Sequence, residues 1–357
     1  MKIGIVTQPL HTNYGGILQN YALQQVLKRM NHDVWTIDYY KYTWLDWADS
    51  VWRVLIHNLL GHKKNYNISP IKRTRLEEPL RSFAKKQMNL TEPRTKRIGR
   101  SAVEKYAFDV IVVGSDQVWR PQYNDCIEDC FLSFISDMNI KRVAYAASFG
   151  TDEWEYTSEQ TDNCAILAKK FDAISVREKS GVALCEKHLR VNATHVLDPT
   201  LLLQVEDYET LCKDIPKREA FVFAYILDGK DEIMDDIKAF AKSKNLPFII
   251  KSADSTISSD DSIEMWISYF RDAAFVITDS FHGTIFSVIF NKDFYVYGNI
   301  QRGNSRFCSL LECLGLENRI VEKCGSSECR GIDWSGVNVK REQLAGFSIE
   351  WLRRALL

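Results

Sequence analysis

Short, continuous apolar runs, each breaking into a polar turn and then a helical pattern, constrain this chain more than any other feature. Residues 3–6 form one such run. "TQPLHTNYGGILQN" follows it, "YALQQVLKRM" carries Tyr21, Leu23, Val26, Leu27 and Met30 at helical spacing, and "HDVWTIDY" reads as the next strand. A strand that is apolar throughout is buried on both faces, which is the habit of parallel sheets, and parallel strands need crossover helices. The alternation continues through "FDVIVVGSD", "KRVAYAASFG" and "FDAISVRE", with a helical pattern around Gln160 to Lys170. It pauses at "LDPTLLL" and the polar stretch "QVEDYETLCKDIPKRE", then restarts. "AFVFAYIL", "LPFIIKSA", "AFVITDS" and "DFYVYG" are the new strands. "KDEIMDDIKAFAKSKN", "SIEMWISYFRDA" (with Ser262 as N-cap) and "GTIFSVIF" are the helices between them.

The pattern predicts an α/β protein with two Rossmann-like domains and mostly parallel sheets. A length of 357 residues suits two cores better than one. The first domain is placed at 1–205 with a helical and basic insertion at 42–105, the second at 217–340. An amphipathic helix at 341–357 is expected to pack back on the first. Within the insertion, Trp44, Trp47, Val51, Val54, Leu55 and Leu59 recur at helical spacing, and residues 62–105 hold thirteen Lys or Arg against four Glu. Three readings stay open: packing on the sheet with a solvated basic face, a lid over an anionic substrate, or a peripheral contact with the inner face of an anionic membrane.

Net charge is -1, which excludes a general electrostatic nucleic-acid binder and leaves anion recognition to local clusters. The nine cysteines are scattered. The x4 spacings of Cys308 with Cys313 and Cys324 with Cys329 match neither a zinc site nor a redox centre, so reduced thiols and no metal are expected. The opening residues lack the apolar region of a signal peptide, and no stretch is long and apolar enough to span a membrane. These features predict a cytoplasmic protein.

In open parallel sheets, ligands bind beyond the carboxyl ends of the strands, and four polar loops fall there. In "NYGGILQN", Gly15 and Gly16 allow an anion to approach a helix start or simply make a turn; the spacing is not GxGxxG. In "VVGSDQVWR", Asp116 and Trp119 suit a hydroxylated ligand and a sugar face, or a turn cap and a cleft filler. In "AISVREKSG", Arg177 is placed to grip a carboxylate or phosphate, unless it forms a surface pair with Glu178. In "TDSFHGTIFSVIF", His282 falls in the first turn of a helix. The positive helix end favours the neutral imidazole and a bound phosphate favours the imidazolium, so such a histidine responds to an arriving anion, unless it merely caps its own helix. Gly283 is expected to let a ligand approach the backbone, and Asp279 to orient His282 or to take a proton. "QRGNSRF" adds Arg302 and Arg306.

Taken in order, "NYGGILQNYALQ", "VVGSDQVW", "SVREKSG", "LDPTLLL" and "TDSFHGTIFSVIF" resemble the polysaccharide pyruvyl transferase family over nearly the whole chain. The resemblance implies a GT-B-like arrangement with a cleft between the domains. It also implies transfer of pyruvate from phosphoenolpyruvate, as co-substrate and without a further cofactor, to two hydroxyls of a glycan sugar. The acceptor is then a lipid-linked or nucleotide-linked sugar. By motif, Arg177 binds the donor, His282 is the catalytic or donor-binding histidine, and Asp116 lies in the cleft near the acceptor, where it or Asp279 takes the hydroxyl proton. Donor contacts are expected from Arg177, Ser280, Gly283, Arg302 and Arg306, and acceptor contacts from Asn13, Tyr14, Gly15, Gly16, Gln19 and Trp119. The family commonly carries an arginine where this chain has Ser280, so Arg302 or Arg306 supplies the charge or the donor differs. Two other classes stay open: a glycosyltransferase with a nucleotide-sugar donor, and a catalytically silent glycan-binding relative.

Overall fold

The computed structural model describes residues 1–40, 70–92, 94–228, 231–252, 262–298, 305–324 and 331–357. Strands β1 (Lys2–Val6), β2 (Asp33–Thr36), β3 (Val110–Val113), β4 (Lys141–Ala147), β5 (Ala173–Val176) and β6 (Thr194–His195) form one sheet in the order β2-β1-β3-β4-β5-β6. Strands β7 (Val222–Ile226), β8 (Phe248–Ser252), β9 (Phe275–Thr278), β10 (Asp293–Tyr297) and β11 (Ile320–Val321) form the other, in the order β11-β10-β9-β7-β8. Every pairing is parallel. β1, β3 and β7 are buried along almost their full length, which explains their unbroken apolar sequences.

Each sheet begins one strand in from an edge, adds its second strand at that edge and then winds away in the other direction. The point of reversal lies between β1 and β3 in the first and between β7 and β9 in the second. The loops leaving such neighbours part from each other, and the crevice between them is where open α/β sheets bind ligands. Asn13 and Asp116 stand beyond β1 and β3; Leu227 and Asp279 stand beyond β7 and β9. The two crevices face one another, giving two Rossmann-like domains in a GT-B-like arrangement.

One apolar cluster joins them. It includes Ile3, Leu18 and Leu23 from the first half and Phe223, Trp266, Phe270 and Phe286 from the second. Tyr14 stacks on Trp266 with ring centroids 5.5 Å apart, and Tyr208 meets Phe286 edge-on at 4.9 Å. The helix Trp334–Leu356 returns to the first sheet: Lys141 Nζ donates to the Leu356 carbonyl at 3.1 Å, and the Leu197 N–H donates to Ser348 Oγ at 3.0 Å. This helix starts well before residue 341, where its apolar pattern becomes visible, because Asp333 caps it through the Gly336 N–H at 3.2 Å.

Trp44 and Trp47 lie outside the described residues. In the described part of the basic segment, arginines meet carboxylates of this chain. Arg81 grips Asp38 bidentately at 3.0 and 2.8 Å, Arg94 approaches the same carboxylate at 3.3 Å, and Arg100 pairs with Glu104 and Asp137. Phe83 of the helix Pro70–Gln87 packs against Tyr21. This part of the insertion thus packs on the helix Tyr14–Arg29, with these arginines paired to carboxylates rather than forming a solvated basic face. No described helix is long and apolar enough to cross a membrane. The eight described cysteines are free, and no described group of three residues has the makings of a metal site.

Asp38→Ala would leave the buried Arg81 guanidinium without its bidentate partner. Urea unfolding is expected to show a loss of about 3 kcal/mol, as for other broken buried pairs; an unchanged midpoint would mean the insertion is not held by this contact.

Candidate active site

A cavity of about 220 Å³ lies between the two crevices. Asn13, Gly15 and Asp116 line it from the first half, and Tyr225, Asp279, Ser280, His282 and Arg306 from the second. The helix N-termini on both sides are capped by their own residues. Asn13 Oδ1 accepts the Gly16 N–H at 3.0 Å, and Ser280 Oγ accepts the Gly283 N–H at 3.3 Å.

Behind this cavity runs a buried chain of charges. Arg177 donates from one terminal nitrogen to Asp198 Oδ2 at 2.7 Å and from the other to Asp116 Oδ1 at 2.9 Å. Its side chain has no exposed surface. Asp116 Oδ2 accepts from Asn13 Nδ2 at 3.3 Å, which ties the start of the first helix to the loop after β3. Asp198 Oδ1 accepts from the Thr200 N–H and hydroxyl at 3.0 and 2.7 Å. His282 Nε2 stands 3.7 Å from Asp198 Oδ2, a distance for charge interaction rather than a hydrogen bond. The imidazole lies so close to the first helix that a Cβ on Gly15 would come within 2.0 Å of His282 Nδ1. Arg177 and Arg306 both hold their guanidinium groups over Phe281, at 4.8 and 5.4 Å from the ring centre.

The backbone here is held in uncommon conformations. Asp116 has φ 74° and Ala146 φ 50°, and Gly114 at φ 136° passes so near β4 that a Cβ would meet the Tyr145 carbonyl oxygen at 1.9 Å. Non-glycine residues in this region cost roughly 1–3 kcal/mol each and persist where the surroundings over-determine them.

The charges settle one another. Burial disfavours the Asp116 carboxylate, yet Arg177, His282 and Arg306 hold its pKa below the ordinary range. Burial acts on Asp198 in the same way, and His282 and Arg177 more than offset it, so this carboxyl too is held low. Burial and the neighbouring Arg177 push Arg306 down to about 10. Burial raises Glu178 despite both arginines. Glu178 Oε1 accepts the Phe149 and Gly150 N–H groups at 2.8 and 3.4 Å and so fixes the loop after β4.

The profile of the polysaccharide pyruvyl transferase family matches residues 13–301. The chain belongs to this family. No curated protein sequence matches it. Among solved structures it is similar to an uncharacterised protein from Klebsiella pneumoniae, with TM-score 0.48, 12% identity and coverage of 90% of this chain and 91% of that one. UDP-GlcNAc 2-epimerase from Methanocaldococcus jannaschii gives TM-score 0.48 and 12% identity over 100% and 99% of the two chains. A spinosyn rhamnosyltransferase complexed with thymidine diphosphate gives 0.40 and 10% over 98% and 95%.

In this pyruvyl transferase family member the expected site residues divide. Asn13, Gly15, Asp116, Asp279, Ser280, His282 and Arg306 line the common cavity. Arg177 stands behind it, with both terminal nitrogens on internal carboxylates, rather than open to a ligand or paired on the surface. Trp119 is a core residue instead of a sugar platform: it is fully buried, stacks on Phe131 at 4.7 Å and donates its indole N–H to the Cys130 carbonyl. Gln19 is buried too, donating to Thr7 Oγ1 and accepting the Ser115 N–H. Gly16 is buried beside the Asn13 cap, and Tyr14 packs on Trp266. Gly283 is small for Thr278, whose Oγ1 would stand 2.3 Å from a Cβ there, not for a ligand. Asp279 accepts the Leu227 and Asp228 N–H groups at 2.6 and 2.9 Å and so joins the ends of β7 and β9; the carboxylate facing His282 Nε2 is Asp198. Arg302 lies outside the described residues.

Asp198 is the residue that sequence reading missed. "LDPTLLL" looks like a boundary, but Asp-Pro-Thr is the start of a short 3₁₀ turn, Pro199–Leu202, and the cap carries the network. Arg177→Ala would leave two buried carboxylates without their cation, at an expected cost of about 3–5 kcal/mol in urea unfolding. Asp116 and Asp198 have folded pKa values below their unfolded ones. Their contribution is therefore complete above about pH 4 and lost as pH falls through the lower folded values. Glu178, raised, acts oppositely and costs stability as pH rises above about 4.3. Asp198→Asn is expected to flatten the decline in urea midpoint from pH 6 to pH 2; an unaltered profile would place the acid-sensitive charge elsewhere.

Proposed function

We propose that this chain transfers a pyruvyl group from phosphoenolpyruvate to two hydroxyls of a glycan sugar, forming a cyclic ketal in polysaccharide assembly on the cytoplasmic side of the membrane. The carrying observation is a single small cavity in which a histidine and an arginine face a carboxylate kept ionised from behind. Family membership supports a transferase, and the chemistry of pyruvyl transfer fits these three groups.

Phosphoenolpyruvate carries a carboxylate and a phosphate, so its site needs fixed positive charge, and Arg306 supplies it at the cavity wall. The methylene carbon must gain a proton as the first sugar hydroxyl bonds to the central carbon. His282 is the group placed to deliver it. The carbon–oxygen bond to phosphate then breaks, and positive charge develops at the central carbon. Asp116, whose ionised form is favoured by Arg177, faces that charge and stabilises it electrostatically. The second hydroxyl closes the ketal. The two hydroxyls release two protons: one replaces the proton given to the new methyl group, and the other leaves with phosphate.

Ser280 occupies the place of the family's common arginine, and its hydroxyl caps the His282 helix. The donor's charge therefore falls more heavily on Arg306. The acceptor is a lipid-linked or nucleotide-linked sugar that enters from the first domain.

Incubation with phosphoenolpyruvate and a panel of such acceptors is expected to release phosphate only when both substrates are present. His282→Gln should lower kcat about 100-fold or more, and Arg306→Gln should act mainly on KM for phosphoenolpyruvate. Wild-type rates in His282→Gln, or no phosphate release with any acceptor, would overturn the proposal.

A further inference from the structure

A second cavity, of about 170 Å³, opens on the first domain. Pro9, Tyr39 and Ile98 give it apolar walls, while Lys96, Arg97, Asp125 and Asp129 supply two charges of each sign. It stands beyond the carboxyl ends of β1 and β2, on the same edge of the sheet as the candidate active site. The loops after β1 and β3 each line both spaces: Pro9 and Asn124 line one, and Thr12, Asn13 and Gln117 line the other.

One side chain joins both walls. Gln8 Nε2 donates to the Gln117 carbonyl at 3.0 Å and to Asn124 Oδ1 at 3.2 Å. Gln117 belongs to the active-site cavity and Asn124 to the second one. The loop after β1 is thus braced against both, and a chain of sugars crossing it would meet a fixed surface.

The lining selects the ligand chemistry. Lys96 and Arg97 balance Asp125 and Asp129, so the lining carries no net charge to draw in a phosphate or diphosphate but presents both donors and acceptors. A neutral sugar ring suits the same groups: carboxylates accept its hydroxyl protons, the guanidinium donates to its oxygens, and the tyrosine, proline and isoleucine cover its C–H face. The cavity is smaller than the roughly 300–1,000 Å³ clefts that enclose drug-sized ligands, so it fits one ring and not an oligosaccharide.

We propose that this cavity holds the sugar residue next to the one that is modified, so that the acceptor is recognised as at least a disaccharide. The inference rests on the glycan-acceptor reading above, but its test does not need turnover. Arg97 and Asp125 are both exposed, so their replacement leaves the core alone. Saturation-transfer NMR on the whole protein would use 1,3- and 1,4-linked disaccharides of glucose, galactose, mannose and N-acetylglucosamine, each beside its methyl monosaccharide. At least one disaccharide is expected to receive saturation on both rings. Combining Arg97→Ala with Asp125→Ala should weaken that disaccharide about tenfold, the worth of a hydrogen bond to a charged group, and leave the matching monosaccharide unchanged. Equal disaccharide binding by wild type and double variant, or no binding by any member of the panel, overturns the subsite. Phosphate release unaffected by the double variant would reject the subsite and keep the transfer reaction. Disaccharide binding lost in the variant, with no phosphate release in wild type, would keep the subsite and reject the donor.

Discussion

Arg177 is a full positive charge with no exposed side-chain surface, and it stays charged there because Asp116 and Asp198 flank it. Those partners come from separate places, the loop after β3 and the turn after β6, while Arg177 itself directly follows β5. One guanidinium therefore fixes three strand ends at once. Through Asp116 it also reaches Asn13 and the first helix, and through Asp198 it faces His282 of the other domain. Such a network gains little net stability over an apolar replacement, but losing one member is costly. What it provides is position: a carboxylate kept ionised at a cavity wall and an imidazole held against Gly15.

This arrangement explains why the candidate site stands where the two domains meet. Each sheet reverses direction beside its first strand, and the crevice at that reversal is open by construction. Facing crevices bring together groups that neither half holds alone. Arg306 and His282 arrive from the second domain and Asp116 from the first, and Phe281 lies under both arginines. The strained backbone at Asp116 and Ala146 sits directly behind the same wall. A cavity with an arginine and a histidine on one side and a carboxylate on the other suits the proposed donor, which begins as an anion and passes through a cationic carbon.

Much of the fold was legible because a strand buried on both faces must be apolar at every position, as "VIVV" and "VFAYI" are. The cap at Ser262 was legible too, because capping is local and follows from residue type, whereas Asn13 and Ser280, expected as ligand contacts, cap their helices as well. Long-range pairing is not local. Nothing within "SVREKSG" says that Arg177 turns inward to carboxylates 61 and 21 residues away. An arginine open to a ligand and one locked to aspartates have the same neighbours in sequence. Trp119 failed likewise: a tryptophan after a strand serves a sugar or fills a core, and Phe131 and Cys130, distant in the pattern, decide for the core. Asp198 was passed over because its Asp-Pro-Thr turn looks like a linker.

The most direct measurement is a crystal structure with phosphoenolpyruvate bound. The ligand is expected in the cavity beside Arg306 and His282, with Arg177 still holding Asp116 and Asp198. A ligand whose carboxylate or phosphate sits on Arg177, with either aspartate displaced, would contradict the central claim that this guanidinium is an internal support and not the donor's grip.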